Sequence, residues 1–381
     1  MRFSINTEKL QAMVTEVSHG VGNNKLLPIT SMLGIKFNEG KLYLSSFDGA
    51  NLLRIGSHLG ITDEENYGDV TVNADMFVKL VSKLSDCSDI DIETDGSSPI
   101  LIVSAYKGTK DVGTYKLELP LDENGDIIRY VDMDTKKGDT TKVDDVYNVS
   151  VALINEMIAS CKPALATDVS ETCYKNYLVS EKIVATDRTR AVFLDNDGYE
   201  EDDKHYLLGR QFVDLLSLAE EEVSLYIFED HMYATDGHGL EIVTSSNGDV
   251  ADFNEKAIQG MLAMKFESMC KVNKSELLNT LNRMALFCNK YENNVIDISF
   301  KEDSLVINSL KNSAVEEIDY TEFKDVTPFD IRIDVTLLLT HVKSYASENV
   351  ELHFGNKTCI KLVDGSVVQI VALMSKGSDA K

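Results

Sequence analysis

The sequence predicts an α+β fold in which helices are layered on antiparallel sheets and the whole is built by repetition. Three observations predict it. Amphipathic helical stripes and short alternating strands follow one another in a fixed order. That order recurs three times along the 381 residues. A polar corner between two apolar strands recurs as well, at Thr186-Asp187-Arg188-Thr189-Arg190 within Ile183–Val192, at Ala234-Thr235-Asp236-Gly237, at Leu44–Ala50 and at Val306–Ala314.

The elements justify themselves in order. Arg2–Asn6 alternates as a strand. Thr7 then opens a helix as its cap, with Leu10, Met13, Val14 and Val17 on one face and Gly20 at the end. Strands around Gly34–Phe37 and Lys41–Ser46 meet at Asn38-Glu39-Gly40, and Leu52–His58 returns. Asn73-Ala74 opens a second helix on Phe77, Leu80, Val81 and Leu84, and strands follow at Ile90–Glu93, Ile100–Ala105 and Thr114–Leu119. Leu121–Asp145 is polar and charged and reads as a linker with a short strand at Ile127–Val131.

The plan then recurs. Val146–Val149, the helix Ala152–Lys162, strands at Cys173–Ser180, Lys182–Thr186 and Ala191–Asp195, the helix Gly209–Ala219 and three closing strands form a second unit. In the third, Asn273 caps a helix running to Phe287, Val335–Ala346 is its second helix, and Val350–Phe354, Lys357–Val363 and Val367–Met374 close the chain. The expected division is residues 1–122, a linker over 123–145, residues 146–255 and residues 265–376. Each unit is itself doubled.

Charge and composition bound the function. Lys+Arg 37 against Asp+Glu 63 gives 37 − 63 = −26. Such a chain does not coat nucleic acid through its whole surface, but a segregated basic face is compatible with it. No apolar run reaches the roughly 18 residues of a membrane span, and the N-terminus has no signal-like apolar stretch, so a soluble cytoplasmic protein is expected. The 6 cysteines are scattered without a C-x-x-C pair, and neither a metal nor a cofactor is expected. Gly20-Val21-Gly22 lacks the rest of a dinucleotide-binding loop, and no phosphate loop, metalloprotease pair or nucleophile elbow occurs. Asp187 and Asp236 could be imagined as paired acid–base carboxylates; their place at repeated corners points instead to side-chain bonding of the turn backbone.

Met1–Ile29 with Leu27-Pro28-Ile29, Val184–Arg190 and Val335–Val350 with Ser347-Glu348-Asn349-Val350 together resemble the bacterial sliding clamp, the beta subunit of the replicative DNA polymerase. The stretches occur in order and nearly span the chain, as in a phage-encoded or otherwise divergent member. The resemblance implies three clamp-type (processivity-fold) domains per protomer and a head-to-tail homodimer. It implies a closed ring with helices lining the hole and sheets outside, no catalysis, and tethering of a polymerase to double-stranded DNA. It also implies capture of polymerase and clamp loader through short linear peptides, in a bacterial cell or a phage-infected host.

Site residues follow from the resemblance. Off the apolar stripes, Lys9, Lys79, Lys83, Arg210, Lys274, Arg283 and Lys343 are expected to face DNA, with Asn24 and Lys25 on a loop that reaches it. The acidic runs Glu200–Asp203 and Glu220–Glu222 are expected away from that face. The partner-peptide groove maps to Thr186, Arg188, Thr189, Arg190 and Ala191, to Asp334 and Leu337, and to Ile370, Val371, Ala372, Leu373 and Met374. Arg188 stands where the family usually has glycine, Ala191 where it has leucine and Leu373 where it has proline, so a narrower or differently selective groove is expected. Tyr115 and Leu117 would meet Leu286 and Phe287 at the ring joint; read by themselves these four are ordinary core residues. The rival reading is a repeat-built enzyme or ligand-binding protein with its site between units.

Overall fold

The computed structural model describes residues 1–60, 66–94, 98–143, 145–167, 173–200, 204–245, 250, 253–288, 294–310 and 313–375. Residues 201–203 of the first acidic run, 311–312 of the fourth corner and the tail from 376 therefore lie outside the described residues. Among the described residues all strand pairing within the sheets is antiparallel, and one unit of architecture, strand–helix–three strands, recurs six times.

The strand that opens each repeat runs directly into its helix. The pairs are Arg2–Asn6 with Thr7–Ser18, Gly68–Asn73 with Ala74–Ser82 and Asp145–Ser150 with Val151–Glu156. Tyr206–Gly209 with Arg210–Leu216, Ser268–Asn273 with Lys274–Ala285 and Phe329–Asp334 with Val335–Ser344 complete the set. Four of these opening strands, at 68–73, 206–209, 268–273 and 329–334, are absent from the sequence-based assignment. Each is short, and in five of the six repeats the last strand residue doubles as the helix cap through its side chain. Asn6 accepts from the Lys9 amide at 3.2 Å, Asn73 from Met76 at 3.0 Å and Ser150 from Leu153 at 3.2 Å. Asn273 accepts from Glu276 at 3.0 Å and Asp334 from Thr336 at 2.7 Å. A short polar side chain here satisfies an amide that the first helical turn leaves unpaired. The first cap is thus Asn6 rather than Thr7, whose side chain is buried.

The chain divides into two compact units. One comprises Met1–Ile154 with Gln211–Ser246 and the other Asn155–Arg210 with Asn247–Lys381. The middle repeat contributes half its strands to each.

In the first unit, Arg2–Asn6, Asp89–Glu93, Ile100–Lys107 and Lys110–Glu118 form a four-stranded sheet in that order. An eight-stranded sheet runs from Gly68–Asn73 to Asp145–Ser150. Its centre is the pairing of Asn51–His58 with Leu240–Ser245, in the register Leu53↔Ile242 and Ile55↔Leu240. Leu10, Met13, Val14 and Val17 of the first helix are buried, as are Phe77 and Val81 of the second, which packs beside it. The expected linker is a strap rather than a free connection. It has a single bridge, Leu121↔Ile127, in place of the expected strand, and a short helix at Met133–Lys136. Met133 is buried with Leu52, Tyr233 and Val243. Tyr130 covers Gly34, where a Cβ would come within 2.7 Å of its ring.

In the second unit, nine strands run from Tyr206–Gly209 to Glu322–Lys324, with Arg190–Asp195 paired to Val367–Ala372. A four-stranded sheet has Val315–Asp319 at one edge and Phe329–Asp334 at the other. The helices Lys274–Ala285 and Val335–Ser344 pack on each other over a core that includes Leu277, Leu281, Leu338 and Val342. The helix Lys274–Ala285 stops short of the expected Phe287. The stretch from 256 to 264, unassigned in the sequence reading, lies largely in the helix Glu255–Leu262, capped by Asn254. Its Ile258, with Phe253, joins the core around Ala191 and Ile370.

The expected helix Ala152–Lys162 is present but irregular. Val151–Glu156 is α-helical, Met157–Cys161 a π turn and Lys162–Ala164 a tight turn. Pro163 supplies the cause, because it cannot donate to the ladder and its ring crowds the preceding turn.

Candidate functional site

The repeated corners are built by one device. Asp48 Oδ1 accepts from the amides of Ala50 at 2.8 Å and Asn51 at 2.7 Å. Asp187 Oδ1 accepts from Thr189 at 3.0 Å and Arg190 at 3.1 Å. Asp236 Oδ1 accepts from His238 at 2.8 Å and from Gly239 and Leu240 at 3.0 Å. At the fourth corner the Ser309 hydroxyl accepts from Ser313 and Ala314, both at 3.1 Å. The aspartates are occupied in holding turns, as expected. After each aspartate the backbone is left-handed, at Gly49 (φ 107°), Arg188 (φ 72°) and Gly237 (φ 72°). Two of the three positions hold glycine, the residue that adopts this conformation without cost; the third holds arginine.

The corner at Arg188 adjoins the last strand. Arg190 lies opposite Val371 and Ala191 opposite Ile370, and the Ala372 amide donates to the Thr189 carbonyl at 2.9 Å. Beyond the strand, the Leu373 amide donates to Thr358 and the Met374 amide to Arg332, both at 2.8 Å. Leu337 and Leu373 both pack half-buried on the same core, and Asp334 caps the helix that carries Leu337. The expected groove residues therefore converge within one unit.

They do not all present side chains. Ala191, Ile370 and Val371 are buried at 0%, 4% and 0% exposure, and Thr186 is buried with its hydroxyl donating to the Arg190 carbonyl at 2.6 Å. The expectation that the last strand spares apolar side chains for a ligand fails at Ile370 and Val371, because the core of the nine-stranded sheet uses them. The accessible surface is Arg188, Thr189 and Ala372, flanked by half-buried Leu337, Leu373 and Met374.

The two arginines at the corner differ. Arg190 Nε donates to Asp187 at 2.9 Å, which makes a largely buried ion pair. Arg188 is exposed, and its guanidinium lies 4.9 Å over the Tyr174 ring, which packs edge-on to Phe253 at 5.2 Å. Behind the corner, His341 is fully buried and its Nδ1 shares a hydrogen bond of 2.9 Å with Gln369. Burial first, and the Arg190 charge second, push its pKa down to about 4. Tyr174, Phe253 and His341 carry no local motif that would have singled them out in the sequence; only the fold brings them to the corner.

The expected DNA-facing cations lie on the helices and are mostly exposed. Lys9, Lys79 and Lys83 sit on the paired helices of the first unit. Lys9 donates to the His58 carbonyl at 2.8 Å, and Lys79 pairs with Asp75 at 2.7 Å. Asn24 and Lys25 are exposed on their loop, Arg210 is exposed at the start of its helix, and Lys343 is exposed on the second unit's helix pair. Two others are partly committed. Lys274 donates to the Tyr345 carbonyl, and Arg283 grips Glu316 through two nitrogens. Burial, then the charges of Asp236 and Glu220, raises the pKa of Glu16 on the first helix.

The four joint residues are on the surface rather than in the core. Leu286 is 81% exposed, Phe287 54% and Tyr115 36%, with Leu117 half-buried. Tyr115 and Leu117 lie on Lys110–Glu118, the edge strand of its sheet. Among the described residues no group of three or more His, Cys, Asp or Glu could hold a metal ion, and no helix is long and apolar enough to cross a membrane.

Residues 1–117 match the family model of the DNA polymerase III beta subunit, N-terminal domain. No curated protein matches the sequence. Among solved structures, the chain is similar to DNA polymerase III subunit beta from Pseudomonas aeruginosa, with 20% identity, a TM-score of 0.81 and coverage of 98% of this chain and 100% of that one. It is similar to subunit beta from Borrelia burgdorferi, solved in complex with a natural product, at 15% identity, TM-score 0.83 and coverage of 99% and 100%. The beta subunit from Streptococcus pyogenes gives 16% identity, TM-score 0.79 and coverage of 99% and 100%. At such identities the structural likeness shows the fold over the full length. The chain thus has the fold of the DNA polymerase III beta subunits, with the match to that family's N-terminal domain confined to residues 1–117.

Proposed function

We propose that two copies of this chain join head to tail into a ring that encircles duplex DNA without sequence preference. The ring holds a replicative polymerase, and in turn a clamp loader, through short linear peptides. The observation that carries this reading is the exposure of cations along the helices of a chain of net −26, although the acidic run at Glu220 is not remote from them as expected, since its charge acts on Glu16 of the first helix. The cations Lys9, Lys83, Lys343 and Arg210 stand exposed on helices, where phosphate contact would be independent of sequence.

Assembly is supported by two edges. Lys110–Glu118 and Val315–Asp319 each end a sheet, and an unpaired strand edge is a template for a second chain. Tyr115 beside the first and Leu286, Phe287 and Val315 near the second are large exposed apolar groups of the kind an interface core buries. The peptide site is the surface formed by Arg188, Thr189 and Ala372 with half-buried Asp334, Leu337, Leu373 and Met374.

Retention on closed circular DNA, compared with the same DNA linearised, tests the ring. A clamp stays on the circle and slides off the linear form. Equal loss from both, or a monomer in light scattering at all concentrations, would overturn the proposal.

A further inference from the structure

We propose that a hollow on the eight-stranded sheet, where Gly56 meets Gly239, binds an oligophosphate anion, either an inorganic polyphosphate or the phosphate chain of a nucleotide. The site lies within the first unit and depends neither on the ring nor on the peptide groove.

Three observations build it, and the first is shape. A cavity of about 850 Å³ opens here, a size that suits a small ligand. Two glycines adjoin in its lining. The Gly56 amide donates to the Gly239 carbonyl at 2.9 Å. A Cβ at Gly239 would come within 2.4 Å of the Gly56 carbonyl oxygen, and one at Gly56 within 3.0 Å of the Tyr43 ring. The close approach therefore needs glycine, and it leaves a gap in the row of side chains between Arg54 and His58. The first helix packs on Lys41–Phe47 and Asn51–His58, where Leu42, Leu44, Leu53 and Ile55 are buried. Alternation sends Lys41, Tyr43, Arg54 and His58 to the other face of the sheet.

The second observation is charge. Lys41 lies opposite His58 in the register of the two strands. His238 precedes Gly239 on the corner, and Lys9 reaches the strand end, donating from Nζ to the His58 carbonyl at 2.8 Å. All four line the cavity. Among the described residues none of them is in an ion pair. Two of the carboxylates in the lining are taken up elsewhere: Asp134 and Glu241 both pair with Arg54 and Lys137. The third, Glu39, is exposed. Beyond a Debye length of about 8 Å, salt screens the negative charge of the rest of the chain, so these local cations decide what enters.

The third observation is the kind of cation. A guanidinium fork matches the two oxygens of a carboxylate. The one arginine in the lining already has that match within the protein, from Nε to Glu241 at 2.6 Å and from Nη2 to Asp134 at 3.0 Å. Lysine and histidine remain, and an ammonium is a compact point charge that binds phosphate without planar geometry. Directly opposed side chains start about 5 Å apart, so Lys41 and His58 answer an extended anion better than a single compact one.

Isothermal titration calorimetry of the full-length chain, in magnesium-free buffer at about 0.15 M salt, tests the site with sodium tripolyphosphate, ATP and AMP. Tripolyphosphate and ATP should each bind saturably, and AMP at least about tenfold more weakly. Equal affinity for the first two assigns recognition to the phosphate chain alone, and tighter binding of ATP assigns it to a nucleotide. Lys41→Ala with His238→Ala should weaken both by about tenfold or more, and His238→Ala alone, at an exposed corner position, should weaken both in the same direction. Lys357→Ala removes an exposed lysine of the second unit and should change nothing. Circular dichroism matched to wild type shows that the variants keep their fold. No saturable binding to wild type, unchanged binding in the folded variants, or an equal loss in Lys357→Ala would overturn the inference. So would tighter binding of a hexa-aspartate peptide than of tripolyphosphate, which would give the hollow to acidic peptides, or displacement of tripolyphosphate by short duplex DNA, which would give it to the DNA backbone.

Discussion

Arg54 donates from Nε to Glu241 at 2.6 Å, joining two strands that lie 187 residues apart in sequence. The Arg54 side chain is 6% exposed, Asp134 from the strap closes on it at 3.0 Å, and its guanidinium lies 4.8 Å over the Tyr43 ring. Because the first and middle repeats meet at this pair, we expect Glu241→Ala to strand a buried cation. The loss is about 3 kcal/mol, at the lower end for a broken buried pair because Asp134 remains. Chemical denaturation of the first unit's tryptophan-free core, followed by far-ultraviolet circular dichroism, reads it. A change within about 0.5 kcal/mol, the range of ordinary surface substitutions, would show the pair to be dispensable.

Acid should loosen the second unit through His341. Its folded pKa is depressed from 6.5 to about 4, because the buried ring takes a proton reluctantly beside Arg190. The unfolded chain therefore binds the proton first. The stabilisation is full above pH 6.5 and is lost as pH falls toward 4, at up to about 3 kcal/mol in all. His341→Leu should flatten that slope between pH 6.5 and 4 while lowering stability at neutral pH. An unchanged slope in the variant would assign the acid sensitivity elsewhere.

DNA retention should depend on the cations that have no ion-pair partner among the described residues. Lys274 and Arg283 are poor choices for charge reversal, since the first donates to the Tyr345 carbonyl and the second grips Glu316. Lys83→Glu with Lys343→Glu should weaken retention on circular DNA and lower the salt slope by about one for each phosphate no longer neutralised. Retention with a wild-type salt slope would remove both residues from the DNA face.

Leu286→Asp with Phe287→Asp should give folded monomers. Both side chains are exposed, at 81% and 54%, so the protomer fold does not need them, whereas an apolar joint would bury two unpaired charges. Light scattering beside circular dichroism distinguishes the outcomes. A folded dimer would place the joint elsewhere.

How much of this was legible beforehand differs by level. The helical stripes of Leu10, Met13, Val14 and Val17 and of Leu277 and Leu281 are buried as their spacing requires, because a helix at 3.6 residues per turn has only one way to hide them. The corner aspartates were legible too, since Asp48, Asp187 and Asp236 bond amides within four residues of themselves. Local chemistry of that kind is written in the order of the residues. The opening strands at 68–73 and 268–273 were not, because a short strand is stabilised by the partner it pairs with and its own residues give little periodicity.

The sequence by itself determined the repetition, the α+β layering and the positions of the six repeat helices and the corners, all of which depend on spacing along one chain, but not the helices Met133–Lys136 and Glu255–Leu262. Only the tertiary structure decided which groove residues face outward. Ile370 and Val371 are as apolar as a binding strand should be, but the sheet that Arg190–Asp195 joins uses them as core. It also decided the charges. Arg188 and Arg190 are two residues apart and alike in sequence, yet one lies over Tyr174 and the other is paired with Asp187. An arginine's role is set by what packs against its guanidinium, and those neighbours come from distant parts of the chain.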